Sequence, residues 1–174
     1  MMSTPANEDL ELRLANALWK EGLERQLAGE IAEAMKLYRT SLALRETAEA
    51  YTFLGWTLSF QGELDAAITQ CRKAIQADPD FGNPYNDIGA YLVELDREEE
   101  AIAWFTQAKK ATRYDNPQFP YLNLARIHTS HGDYGPALME LQTAAVLAPQ
   151  DERVRQLTRR IGSLLREEPS ARAA

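Results

Sequence analysis

The residue types best able to do chemistry in this chain are the two histidines of "HTSH", His128 and His131, and the three carboxylates of "REEEAI", Glu98, Glu99 and Glu100. Two histidines could begin a zinc site or supply a general base, and adjacent carboxylates could share a proton between acid and base roles. Neither reading survives the surrounding sequence. His128 falls on the apolar stripe of a helical pattern, whereas His131 sits beside the glycine of the turn that follows, so the two imidazoles face different environments. Cys71 is the only cysteine, and no helical Asp or Glu stands at ligand spacing near the histidines, which leaves a metal ion without a ligand set. The three glutamates open a helical pattern, where negative charge is favoured by the positive end of the peptide dipoles. No glycine-rich phosphate loop and no convergent Ser, His and Asp arrangement occurs. The expectation is therefore no catalytic residue, no metal ligand, no cofactor and no enzymatic activity.

The elements that carry these residues are repeated. "AGEIAEAM", "QGELDAAI", "LDREEEAI" and "HGDYGPAL" put Gly29, Gly62, Asp96 and Gly132 in register, 33, 34 and 36 residues apart. A near-constant period of this size marks stacked structural units. Upstream of Gly62, residues Tyr51, Leu54, Gly55 and Leu58 fall at i, i+3, i+4 and i+7, and downstream Leu64, Ala67, Ile68, Cys71, Ala74 and Ile75 continue at helical spacing. Each unit reads as helix, turn, helix. Small residues recur where two antiparallel helices must approach, at Gly22, Gly55, Gly89 and Ala125 and at Ala34, Ala67, Ala101 and Ala137. Pro79 and Pro149 end units, and Asn83 with Pro84 is expected to cap and start the next helix.

In the second unit, Tyr51, Leu54, Gly55, Leu58, Ala67, Cys71, Ala74 and Pro79 resemble the tetratricopeptide repeat (TPR), whose pattern runs W-x2-L-G-x2-Y, A-x3-F, P. The third unit gives Tyr85, Ile88, Gly89, Leu92, Ala101, Phe105 and Ala108, and the fourth gives Tyr121, Leu124, Ala125, His128, Ala137, Leu141, Ala144 and Pro149. The first, from Leu18 to Ser41, is the most degenerate, and its Glu21 and Arg25 suit a terminal repeat facing water. The resemblance implies an all-α fold, a right-handed superhelical α-solenoid of about four helix-turn-helix units plus a C-terminal capping helix. The expected boundaries are a lead-in at 1–14, repeats at 15–47, 48–81, 82–117 and 118–151, a cap at 152–167 and a tail at 168–174. Two extra residues in "ATRYDNPQFP" predict an irregular junction after the third unit, with its second helix running longer before a loop at 115–117. In the cap, Val154, Leu157, Ile161, Leu164 and Leu165 share one face and Arg155, Arg159 and Arg166 the other; an end cap is favoured over a basic membrane-surface helix because the flanking charge is small.

The family's geometry implies that the first helix of each unit lines a concave groove. Carried onto this chain, the partner-binding residues are Trp19, Leu23, Phe53, Trp56, Asn86, Asp87, Leu122, Asn123 and Arg126. Trp19 and Trp56 are either aromatic anchors for a partner or packing between repeats. Asn86 and Asn123 either hold an extended peptide backbone or are simply solvated, and Arg126 suits a carboxylate. One known use of the family, a Lys and Asn clamp on the C-terminal carboxylate of heat-shock chaperones, has no counterpart: the paired positions read Trp19 and Leu23, Thr52 and Trp56, or Asn86 and Ala90.

Composition sets the remaining bounds. The chain has 174 residues, 45% hydrophobic and 26% charged, with a net charge of −7, the profile of an ordinary globular protein. Residues 151–174 carry a local +2, leaving −9 on the first 150, so phosphate backbones are repelled and no nucleic-acid partner is expected. The N-terminal sequence lacks the pattern of a secretory leader and no long apolar run occurs, so the expectation is a cytoplasmic protein with no membrane partner. About 23 residues follow the last repeat, too few for a catalytic domain. Two functions fit: an adaptor binding a protein or peptide segment in the groove, and a self-associating module forming a homodimer through its apolar face.

Overall fold

A computed structural model of the chain describes the backbone of residues 5–171 and the side chains of residues 7–166. Among the described residues there are nine α-helices, α1 (Pro5–Leu27), α2 (Ile31–Leu44), α3 (Ala48–Ser59), α4 (Leu64–Ala77), α5 (Asn83–Glu94), α6 (Glu98–Ala108), α7 (Phe119–Ser130), α8 (Tyr134–Leu147) and α9 (Glu152–Ala171). The fold is an all-α helical-repeat solenoid of four hairpins and a final helix.

Each hairpin closes through small residues. A Cβ at Gly22 would lie 2.7 Å from the Tyr38 ring, and one at Gly89 2.5 Å from the Phe105 ring. At Gly55 the neighbours are the Ala67 carbonyl, 3.1 Å away, and Cys71 Sγ. Ala34, Ala67, Ala101 and Ala137 across the hairpins are completely buried. The aromatic ring occupies the space that the missing side chain leaves, which is why the two positions alternate small and large along the repeat.

The turns share one backbone geometry. Gly29, Gly62 and Gly132 have φ of 82°, 78° and 80°, and Asp96 occupies the same place with φ 58°. A left-handed residue at this point lets the chain reverse after the first helix, and an aspartate is among the few non-glycine residues to tolerate it. Local signals set the helix ends. The Thr47 side chain accepts a hydrogen bond from the Ala50 amide to cap α3, and Pro84 and Pro120 lie in the first turns of α5 and α7. The residue preceding α5 is Gly82, with Asn83 already inside the helix, so Asn83 is not the cap that its type suggests.

The junction after the third hairpin is irregular, but in the opposite sense to that expected. α6 is shorter than the other second helices, 11 residues against 14 in α4 and α8. The residues released from it fold back on the preceding turn. Arg113 N–H donates to the Asp80 carbonyl at 3.0 Å, and Gly82 N–H donates to the Arg113 carbonyl at 2.9 Å, forming an isolated parallel bridge between Phe81 and Arg113. The Arg113 guanidinium binds Asp78 at 2.6 Å and Glu49 at 2.8 Å and lies 4.0 Å over the Phe81 ring. The junction is thus held by three partners from the second repeat, Asp78, Glu49 and Phe81.

The two ends also extend past the repeat pattern. α1 begins at Pro5, so the helix continues back through most of the expected lead-in, and α9 runs to Ala171. Val154 and Ile161 of α9 are 2% and 0% exposed, packed on Leu122, Ala125 and Leu141 of α7 and α8. On the opposite side of α9, Glu152 pairs with Arg155 and Arg159 at the surface.

Candidate functional site

Successive first helices touch one another, α1 with α3, α3 with α5, α5 with α7, and α7 with α9. Among the described residues no two second helices bring their backbones so close, meeting only through long side chains such as Arg72 of α4 over Trp104 of α6. The first helices therefore occupy the shorter, inner arc and form the concave face, while the second helices spread along the outer one.

On this face an aromatic row begins at α1 and follows α3. Trp19 stacks on Phe53 with ring centroids 5.5 Å apart, Phe53 meets Trp56 at 6.5 Å, and Trp56 meets Phe60 at 5.2 Å. Tyr38 stacks on Phe53 from below at 6.1 Å. Trp19 is held further by its indole N–H, which donates to Asn16 Oδ1 at 2.9 Å, and by Lys20 over its ring. Of the two readings for the tryptophans, Trp19 follows the packing one, fixed between α1 and α3. Trp56 is half-buried against Phe53 and also lines an open pocket.

That pocket, about 380 Å³, is bounded by Thr52, Phe53 and Trp56 of α3, Asn83, Asn86 and Asp87 of α5, Asn116 of the irregular junction, and Phe119 at the start of α7. Four of the expected groove residues, Phe53, Trp56, Asn86 and Asp87, meet here. Asp87 is half-buried as a residue. Protein encloses its carboxyl closely enough that loss of hydration pushes its pKa up to about 7, against the opposing effect of the Asn86 side chain. Its charge in turn helps burial to raise the pKa values of Cys71, Tyr91 and Tyr114. The carboxyl belongs to no ion pair among the described residues. Beside it, Asn83 Oδ1 is buried and accepts no hydrogen bond.

The remaining expected residues divide. Asn123 Nδ2 donates to Asn86 Oδ1 at 3.0 Å, and Arg126 Nη1 donates to Asn123 Oδ1 at 3.1 Å. These three side chains form a ladder from the fourth repeat to the third, so the two amides are not simply solvated. Loss of hydration, then repulsion from Arg153, lowers the Arg126 pKa from its ordinary value, without discharging a guanidinium at neutral pH. Leu23 is half-buried on α1, away from the pocket. Leu122 is only 2% exposed and packs in the cluster closed by Val154 and Ile161. It is a core residue under the cap and does not line the groove, because the last first helix has α9 where inner repeats have a neighbouring hairpin. Asn116 was not foreseen as a lining residue; it lies in the two-residue insertion, where the repeat period assigns no position.

The histidines stand apart as expected. His128 is half-buried and His131 exposed, with His131 Nε2 2.9 Å from Glu98 Oε2 across the turns of the third and fourth repeats. No group of His, Cys, Asp and Glu among the described residues could hold a metal ion. No described helix is long and apolar enough to cross a membrane.

Helical hairpins stacked in one direction, with positive-φ turns in register and first helices lining the inner face, define a helical-repeat solenoid. The family model of the tetratricopeptide repeat matches residues 48–81, the second hairpin. Small glutamine-rich tetratricopeptide repeat-containing protein 2 of Mycosarcoma maydis is 30% identical over 100 residues, 56% of this chain. The match spans only 28% of that relative's length. Among solved structures, PilF of Pseudomonas aeruginosa superposes with a TM-score of 0.83 at 22% identity, covering 94% of this chain and 74% of that one. PilW, described as a widely conserved type IV pilus biogenesis factor, gives 0.76 at 21% identity over 86% of this chain and 69% of its own. At these identities the likeness is one of fold.

Proposed function

We propose that the chain is an adaptor that receives a segment of another protein in its concave groove. The observation that carries this reading is the pocket among Phe53, Trp56, Asn86 and Asp87, where half-buried aromatic surface and polar groups converge on the inner arc. Aromatic anchors set in a partly desolvated concavity are the usual source of affinity in such interfaces. Arg126, exposed beyond the asparagine ladder, supplies a positive group for an acidic residue of the same segment. The test is to recover a partner with the wild type and measure its affinity for Trp56→Ala, Arg126→Glu and Arg159→Glu. The first two weaken binding at least tenfold, and Arg159→Glu, on the outer face of the cap, leaves it unchanged. Full retention by the first two would move recognition off the groove.

A second reading, self-association, is favoured by the N-terminal stretch of α1, where Leu10 and Leu14, one turn apart, are 53% and 48% exposed. Light scattering across concentration distinguishes it: a dimer that Leu10→Lys with Leu14→Lys dissociates would place the interface there.

A further inference from the structure

Asp87 is half-buried and gains no cation in return for its position, belonging to no ion pair among the described residues. Three arginines of its own chain are engaged elsewhere. Arg153, which lies 4.6 Å over the Phe119 ring, binds Asp151 at 2.6 Å. Arg126 donates to Asn123, and Arg113 is held by Asp78 and Glu49. Asp87 instead lines a pocket with Phe53 and Trp56 of α3 and Phe119 of α7. A carboxyl whose one side-chain hydrogen bond comes from Asn86 and which has no cation partner, beside aromatic faces, is complementary to a planar cation. A guanidinium brings five N–H donors in a fork and stacks on aromatic rings, whereas an ammonium offers a compact charge without the plane. The rest of the molecule agrees in sign: the first 150 residues carry −9, a field that draws basic segments.

We infer that this pocket is an arginine-binding subsite, in which the guanidinium of a partner's arginine stacks against Trp56 and Phe53 and donates to Asp87. The inference rests on the groove reading above and specifies the residue that the groove selects. Together with Arg126, it orients a bound segment, its arginine at the third repeat and its acidic residue at the fourth.

The experiment uses the full chain and N-acetyl-L-arginine amide as probe, with N-acetyl-L-citrulline amide as the uncharged isostere. The three indole N–H resonances, from Trp19, Trp56 and Trp104, are followed by nuclear magnetic resonance, Trp56 being assigned by its loss in Trp56→Phe. Trp104, which packs with Tyr85 and Arg72 away from the pocket, is the internal control. The arginine derivative shifts Trp56 and not Trp104, the citrulline derivative binds at least tenfold more weakly, and Asp87→Asn reduces arginine binding by at least tenfold. Equal shifts from both compounds, or no shift at Trp56 up to the probe's solubility limit, would overturn the subsite. A random dodecapeptide library selected on the same protein separates this from the fate of the groove. Peptides whose binding needs Trp56 but that show no arginine enrichment sink the subsite and keep the groove; peptides indifferent to Trp56→Ala and Asp87→Asn sink both.

Discussion

Asn123 donates its side-chain amide to Asn86 Oδ1 across 3.0 Å, tying the first helix of the fourth repeat to that of the third on the concave face. Asn86 is buried, 7% exposed, so its oxygen has little water to fall back on. Asn86→Ala therefore costs stability as well as any partner contact, about 1–2 kcal/mol, because it strands the Asn123 donor at a partly buried interface. A thermodynamic cycle with Asn123→Ala, measured by urea unfolding, gives a coupling of about 1 kcal/mol. Strict additivity would mean that the two amides are independently solvated.

The hairpin contacts predict a contrast between two kinds of glycine. At Gly89 the obstacle is a side chain, Phe105, 2.5 Å from any added Cβ, so Gly89→Leu overpacks a closed core and costs about 1–3 kcal/mol. At Gly62 nothing lies within 4 Å, but φ is +78°, so Gly62→Ala costs about 1 kcal/mol through the backbone alone. Because Asp96 holds the equivalent turn at φ 58°, Asp96→Gly relieves strain and raises the melting temperature slightly. A lower melting temperature for Asp96→Gly would show that its side chain contributes more than its backbone costs.

The cap is the next point of attack. Deleting residues 152–171 removes Val154 and Ile161 and uncovers Leu122 and Leu141 beneath them. The loss of those two buried side chains alone is worth about 3–5 kcal/mol, and in a solenoid the damage falls on the neighbouring unit first. Hydrogen exchange after truncation speeds up in α7 and α8 while α3 and α4 keep their protection. Uniform acceleration along the chain would mean that the repeats unfold as one unit.

The repeat register, the paired small residues and the cap were legible because each follows from spacing along a single helix or between identical units. What was not legible depends on which neighbour fills a face. Leu122 reads as a groove residue by its place in the repeat, yet α9 covers that side of α7. The start of α1 was hidden for a different reason: Leu10, Leu12 and Leu14 alternate at period two, which marks no helical stripe, and all three are exposed. The junction was misread because the two inserted residues leave the 34-residue register, so no spacing rule could place Arg113 against Asp78 and Glu49 or Asn116 in the pocket. Asp87 was identified as a groove residue, but the enclosure that perturbs its carboxyl comes from α4 and the junction, distant in sequence.

That enclosure gives the folded protein a pH dependence that Asp87 should dominate near neutrality. The groups facing it are the Cys71 thiol from α4, the Tyr91 hydroxyl from α5 and the Tyr114 hydroxyl from the junction, all held neutral by burial that raises their pKa values. α3 and α7 present the uncharged Phe53, Trp56 and Phe119. The Asp87 pKa rises from an ordinary 3.8 to about 7 on folding. Between these values the folded chain binds the proton that the unfolded chain has lost, so stability falls as pH rises through the window and levels off above about pH 7. Asp87→Asn keeps the shape without the charge. It leaves stability near pH 4 unchanged and raises it at pH 8 by about 2 kcal/mol, part of the full linkage value because water still reaches a half-buried residue. Denaturant midpoints for the two proteins should converge at acid pH and separate toward alkaline pH; parallel curves from pH 4 to 8 would mean that the carboxyl is solvated and does not resist ionisation. A variant that is more stable at pH 8 and poorer at binding arginine would identify Asp87 as a group held for recognition at the expense of the fold.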